Sequence, residues 1–484
     1  MVFSSVYFVF LFLPIVFLLY YLTRGRVRNV ILLCSSLLFY AYGEPVFVFV
    51  LMASVCINFL LALGIAKKRH QRLLLLVAVV LNIGLLFVYK YLYFTISLCN
   101  LIPGISLPGK EIALPIGISF FTFQALSYVI DVYRSGRAQK NLFDLALYIC
   151  FFPQLIAGPI VRYHDIATQL EDPERLGRRL FGKDPKTIED LGIGAERFLV
   201  GFLKKVLIAN QLAVIADQIF DLENYAALST PAAWIGSILF TLQIYYDFSG
   251  YSDMAIGLGR MFGFQFLENF DHPYIAGSVT EFWRRWHMSL SGWFRDYVYI
   301  PLGGNRRGTA RSILNLFVVW LLTGIWHGAN LTFVCWGLLY FVFLVLEKYV
   351  IRPGRFQNGI AKGIYRVITL AIVNCLWVLF RADTLEKGMT FLSRMLGITG
   401  AEQMGFSGGW YLMLVREYGI FIALALLLCM PLRKKLLAFC EKSPKSAAAR
   451  VLTALYFAAL PLLFFWAVSF LVLGAHNPFL YFQF

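Results

Sequence analysis

The sequence predicts an all-α, polytopic membrane protein of about ten to twelve transmembrane helices, with re-entrant and interfacial helices added. Three observations carry that reading. Of the 484 residues, 60% are hydrophobic and only 14% charged, whereas a soluble domain is about half apolar and about a quarter charged. Several apolar runs reach about 20 residues, enough for a helix to cross the hydrocarbon layer. The Lys and Arg residues behind the net charge of +16 sit mostly in short loops between those runs, as in cytosolic loops facing anionic lipid. The partner implied by that charge is the lipid bilayer, and no nucleic acid is expected.

Val2 to Leu22 is an apolar run followed at once by Arg24, Arg26 and Arg28. A secretory signal carries its positive charge before the apolar run, so this segment reads as a first span with its N-terminus outside. Val30 to Tyr42 and Val46 to Ala66 form a hairpin turning at Gly43-Glu44-Pro45, and Lys67, Lys68, Arg69 and Arg72 return the chain to the cytosol. Leu73 to Phe94 leads out to a Pro- and Gly-rich loop, and Leu114 to Tyr133 comes back to Arg134, Arg137 and Lys140. In Leu145 to Ile160, Pro153, Gly158 and Pro159 interrupt helical hydrogen bonding. A re-entrant segment is expected there, buried in protein or lining a cavity.

The charged stretch from Arg162 to Asp190 is cytosolic, and Ile193 to Phe220 and Ala232 to Phe262 are spans on either side of a loop at Asn224. Ile368 to Phe380, Ile420 to Pro431 and Leu452 to Leu473 give three more. Arg352, Arg355, Lys362 and Arg366 then fall on one side, together with Arg433, Lys434 and Lys435. This alternation follows the positive-inside rule and puts both termini outside a cell membrane. The chain reads as one multi-pass domain, 1–484. Its eight cysteines lie mostly in apolar segments as small hydrophobes, without a disulfide framework.

Two of the six histidines stand out, because each follows a tryptophan: Trp286-His287 and Trp326-His327. Ser278 and Glu281 have capping-box spacing. Steps of about 100° per residue from there place Phe282, Trp283, Trp286, Leu290, Trp293 and Phe294 on one arc, and Glu281, Arg284, Arg285 and Arg295 on the other. An amphipathic helix over about 279–296 is expected, lying in the interface with its aromatic face down and His287 at the edge. Further on, Ile313 to Ile325 is only 13 apolar residues, short for a span, before Trp326-His327-Gly328-Ala329-Asn330 interrupts it. A helix break over about 323–330 is therefore expected inside the hydrocarbon layer. A histidine there is expensive unless it lines a wet cavity or a site, and imidazole suits proton transfer. Competing chemistries lack their motifs: there is no H-E-x-x-H, nucleophile elbow or P-loop. Asp247, Asp253 and Asp271 match no metal-ligand spacing and read as helix packing, so no metal is expected. His70, His164, His272 and His476 read as surface residues.

Six collinear segments resemble the membrane-bound O-acyltransferase family, most of all the branch with the membrane subunit of alginate O-acetyltransferase. They are Leu114–Gln124 (LPIGISFFTFQ), Phe151–Arg162 (FFPQLIAGPIVR), Tyr245–Gly259 (YYDFSGYSDMAIGLG), Glu268–Tyr274 (ENFDHPY), Glu281–Gly304 and Thr323–Asn330 (TGIWHGAN). Asp271 departs from the asparagine expected in the fourth. The resemblance implies helices around a central tunnel, with His327 as catalytic histidine and His287 at the family's second histidine or asparagine position. Trp326, Asn330, Trp283 and Trp286 are then expected near substrate. Arg284 and Arg285 would draw in the donor's phosphates, and His287 would orient the donor or stabilise developing charge. No cofactor is bound in this reading. The donor is acetyl-CoA or another acyl thioester from the cytosol, and the acceptor an extracytoplasmic polysaccharide. A separate extracytoplasmic acyltransferase is the expected partner. D-alanyl transfer to teichoic acid and a glycan or lipid transporter with a histidine proton relay are the alternatives.

Overall fold

The computed structural model describes residues 1–178, 184–225, 228–398, 408–443, 446–474, 476–477 and 479–480. Among the described residues every regular element is helical. Eight helices among the described residues are long and apolar enough to cross a membrane: Phe47–Ala66, Gln71–Cys99, Pro185–Phe220, Thr309–His327, Leu331–Arg355, Gly359–Arg381, Gly408–Leu428 and Ala447–Val472. Two shorter apolar helices, Phe8–Leu22 and Val27–Gly43, join them. Ile118–Ser135 and Thr230–Met261 are helical as expected, but protein covers most of each. Their polar residues explain this. Gln124 and Ser127 in the first, and Gln243, Asp247, Ser249, Ser252 and Asp253 in the second, are all buried and need partners that lipid cannot supply.

The chain packs as two units. The first comprises residues 1–198, 251–268 and 292–298. Within it the hairpin of Val27–Gly43 and Phe47–Ala66 turns where the sequence places it. The region expected to be re-entrant is two short helices, Leu142–Cys150 and Phe152–Leu155, with every residue over 144–161 buried. The Tyr148 hydroxyl donates to the Val161 carbonyl at 3.0 Å, which ties the irregular backbone down inside protein. Of the charged stretch at 162–190, residues 179–183 lie outside the described residues.

The second unit comprises residues 199–250, 269–291 and 299–484. It contains an antiparallel hairpin of Thr309–His327 and Leu331–Leu346. A Cβ at Gly324 would lie 2.5 Å from the Phe333 carbonyl oxygen, and one at Gly337 would lie 2.5 Å from that of Trp320. Two glycines thus let the helix backbones touch, the usual device of small residues between membrane helices. The expected short span is corrected here. The helix starts at Thr309 and runs 19 residues, about 28 Å, because its first turn is built from polar Thr309, Arg311 and Ser312. The turn at 328–330 joins two full-length helices, so bilayer depth does not follow from a short apolar run.

The expected interfacial helix over 279–296 is also corrected. Val279–Arg285 is one helix and Met288–Phe294 another. Between them Trp286 is extended, and His287 adopts a left-handed backbone with φ 44°. A neighbouring loop replaces the lost helical bonds: Met288 N–H donates to the Asn269 carbonyl at 3.0 Å, and Asp271 N–H to the Arg285 carbonyl at 2.9 Å. Nor does the aromatic arc face lipid, since Phe282, Trp283 and Trp286 are all buried in protein. The capping signal holds: the Ser278 side chain accepts from Glu281 N–H at 3.0 Å.

Candidate active site

His327 ends its helix, because Gly328 is extended and stops it. Its ring stands edge-on to three aromatic neighbours, with centroids 4.9 Å from Trp326, 5.1 Å from Trp336 and 5.2 Å from Phe380. The helices Leu331–Leu346 and Gly359–Arg381 supply the last two. His327 is 9% exposed, and it lines a cavity of about 30 Å³ with Asp247, Phe248, Trp286, Trp377, Phe380, Phe479 and Leu480. That is room for one or two waters. The one charged wall is neutralised: Asp247 is buried against Lys205, and its other carboxylate oxygen accepts from Leu480 N–H at 2.9 Å.

His287 is 1% exposed. Its Nδ1 lies 3.1 Å from Asn269 Oδ1, and its ring meets Phe248 edge-on at 4.6 Å. Phe248 also lines the His327 cavity. Trp326 bridges the two histidines from the other side, 6.0 Å from the His287 ring and 4.9 Å from that of His327. Burial pushes the His287 pKa down to about 3, so its imidazole is neutral at physiological pH.

The remaining expected residues divide. Trp286 lines the cavity. Trp283 sits one ring back, packed on Trp320, Tyr340 and Trp336 at 4.7, 4.9 and 5.6 Å. Trp326, Asn330, Arg284 and Arg285 do not line the cavity either. Asn330 caps the helix Leu331–Leu346 through Thr332 N–H, and its amide donates to the Asp383 carbonyl at 2.7 Å. Arg285 is held by Glu281 and Asp271, and Arg284 is exposed. Of the four histidines read as surface residues, His164 and His476 are half exposed and paired with Asp131 and Asp217.

Sequence reasoning missed Phe248, Trp377 and Phe380, which carry no signal among so many aromatics. It set Asp247 aside as helix packing and passed over Asn269, which lies in ENFDHPY two residues before the anomalous Asp271. Glu347 was also missed. It is 3% exposed and accepts from Val279 N–H, Thr280 N–H, the Thr280 hydroxyl and the Tyr365 hydroxyl at 2.6, 2.7, 2.6 and 2.9 Å. It anchors the start of the helix that leads to His287. Together these parts present two imidazoles in a mostly apolar, water-poor setting, where proton transfer is not levelled by solvent.

The model of the membrane-bound O-acyltransferase family matches residues 46–381. The chain is similar to the probable alginate O-acetylase AlgI of Pseudomonas putida, 40% identical over the whole of both chains. It is 44% identical to the protein of that name from Pseudomonas syringae, over 80% of this chain and 73% of the relative. A peptidoglycan O-acetyltransferase of Helicobacter pylori is 34% identical over 83% of this chain and 81% of its own.

Proposed function

The chain belongs to the membrane-bound O-acyltransferase family, and we propose that it moves an acetyl group from cytosolic acetyl-CoA to the hydroxyls of an extracytoplasmic, alginate-like polysaccharide. The relatives of 34% identity or more named above specify two polymers but one acyl group, acetyl, whereas teichoic acid D-alanyltransferases match at only 26–27% over about half of the chain. The small cavity beside His327 agrees with a two-carbon group. The whole chain, 1–484, is taken as one acyltransferase domain, since the family match runs through residues of both packing units.

The single observation that carries the reading is His327 at a helix end, boxed by Trp326, Trp336 and Phe380 and lining a cavity. His327 acts as general base: it takes the proton of the acceptor hydroxyl as the oxygen attacks the thioester carbonyl. The C–O bond forms, the C–S bond breaks, and the leaving thiolate recovers the proton from His327. Trp286 and Trp326 shape the site, and His287 is its second polar group. Exposed Arg284 and the basic loops draw the donor's phosphates from the cytosolic side, with Arg285 beside them. Both chain termini then lie outside. A separate extracytoplasmic acyltransferase is the expected partner on the acceptor side.

The test is labelled-acetyl transfer by purified protein supplied with partner and acceptor. General-base assistance is worth about 10²- to 10⁴-fold, so His327→Ala should lose that much turnover at unchanged yield and monodispersity. His327→Gln should fail likewise, because an amide cannot take the proton. Wild-type turnover in His327→Ala would rule out the mechanism. Absence of thioester turnover by the wild-type protein would instead favour transport.

A further inference from the structure

The orientation of one buried amide decides what His287 can do. Ser289 N–H, which can only donate, points at Asn269 Oδ1 from 3.3 Å, and the Ser289 hydroxyl donates to the same atom at 2.9 Å. A backbone donor there identifies the amide atom as oxygen rather than nitrogen, which settles an otherwise ambiguous assignment. The same oxygen lies 3.1 Å from His287 Nδ1. An oxygen acceptor requires Nδ1 to carry the hydrogen. A neutral imidazole has only one N–H, so Nε2 is left with its lone pair.

That lone pair is buried and has no hydrogen-bond partner among the described residues. Rings of Phe248, Phe270 and Trp326 surround the imidazole, their centroids 4.6, 6.4 and 6.0 Å from its own. None of these rings, nor Asn269 or Ser289, titrates, and burial is the one cause of the depressed pKa. The left-handed backbone at His287, φ 44°, is uncommon for a residue other than glycine and persists where the surroundings over-determine it. Here they do: Met288 N–H is fixed on the Asn269 carbonyl at 3.0 Å, so one residue holds both the backbone and the ring.

We propose that Asn269 is a positioning residue that locks His287 as its Nδ1–H tautomer, so that His287 accepts a hydrogen bond from a substrate N–H or O–H through Nε2. It does not donate to an oxyanion. The charge-stabilising role that the sequence allowed for His287 is thereby excluded, and the substrate-orienting one remains. The inference rests on the acyltransfer reading. The substrate group is either an amide N–H of the thioester donor's arm or a hydroxyl of the sugar acceptor.

The tautomer is read directly, independently of any activity. The wild-type protein with ¹⁵N-labelled histidine is placed in lipid nanodiscs at neutral pH, with His287→Gln assigning the resonance. Nδ1 should appear protonated and Nε2 as the bare, pyridine-like nitrogen. The reverse pattern overturns the proposal, whatever the protein catalyses. Two variants extend the test. Asn269→Leu removes the acceptor, and loss of one such hydrogen bond should lower turnover about tenfold, with mixed tautomers. Asn269→Asp keeps an acceptor at the same place and should restore the single tautomer. Its carboxylate raises the imidazole pKa, so the acid limb of the pH–rate profile should move to higher pH. A rise in the KM of acetyl-CoA alone in Asn269→Leu assigns the hydrogen bond to the donor. A rise in the KM of the polysaccharide alone assigns it to the acceptor. Turnover and tautomer both unchanged in Asn269→Leu would sink the idea.

Discussion

Glu347→Gln is the sharpest probe of how the site is held, because it alters no volume. The carboxylate takes four hydrogen bonds: Val279 N–H and the Tyr365 hydroxyl on Oε1, Thr280 N–H and the Thr280 hydroxyl on Oε2. Hydroxyls can rotate and accept from a new amide, but backbone N–H groups cannot. A glutamine offers one oxygen, so either Val279 N–H or Thr280 N–H must face an NH₂ whichever way the amide turns. A buried donor left without its acceptor costs about 1–3 kcal/mol. Losing the negative charge at a helix N-terminus adds about 0.3–1 kcal/mol. The expected destabilisation is about 1–4 kcal/mol. The helix begins at Val279 and ends at Arg285, two residues before His287, so slack at its start reaches the site. Thermal unfolding of the purified protein in detergent should fall by several degrees, and acetyl transfer should fall at temperatures where the variant is still folded. Wild-type melting with wild-type turnover would refute the reasoning, and glutamine would then be as good an anchor as glutamate.

Two further predictions concern sidedness and pH. Cysteines introduced at Lys67 and Lys434 should be shielded from an impermeant thiol reagent in intact cells and one at Asn224 should react; the reverse labelling would overturn the assignment of sides and the cytosolic entry of the donor. For pH, the folded His287 pKa of about 3 lies below the unfolded value of about 6.5, so between those values the unfolded chain binds a proton that the folded one does not. Stability contributed by neutral His287 is full above pH 6.5 and is lost as pH falls, on the order of 2 kcal/mol by pH 5. Melting curves between pH 7 and 5 should therefore drop more steeply for wild type than for His287→Gln, and parallel curves would count against a buried neutral imidazole.

Hydropathy and charge made the membrane class and the Gly43–Pro45 hairpin turn legible, and the prolines made the broken, buried segment at 144–161 legible, because each depends on local composition. What periodicity could not deliver was the surroundings of a face. The arc of Phe282, Trp283 and Trp286 has the spacing of a lipid-facing stripe, yet Trp283 meets Trp320 and Tyr340, and Trp286 meets Trp377 at 4.9 Å. An aromatic ring is apolar toward lipid and toward protein alike, so the pattern is the same in both cases. The break at Trp286-His287 was invisible for a related reason. Neither residue is a glycine or proline, and the bonds that make the break tolerable come from Asn269 and Asp271, fourteen or more positions earlier.

The site follows the same logic with higher stakes. His327 and His287 were legible because a histidine in oil requires explanation, and residue type alone is the signal. Their chemical states were not, because a histidine's tautomer and basicity belong to its partners. Asn269 reads in the sequence as one polar residue in a loop, and Glu347 as one charge after an apolar run. In the fold, the first directs the His287 proton to Nδ1, and the second, through four hydrogen bonds, holds the helix that presents the ring. Replacing either histidine removes an imidazole from the proposed site outright. Replacing Asn269 leaves both imidazoles in the protein but frees the tautomer of one, and replacing Glu347 loosens the helix that presents it. That difference is why the two supporting residues are the more informative targets: they separate the presence of a histidine from its competence.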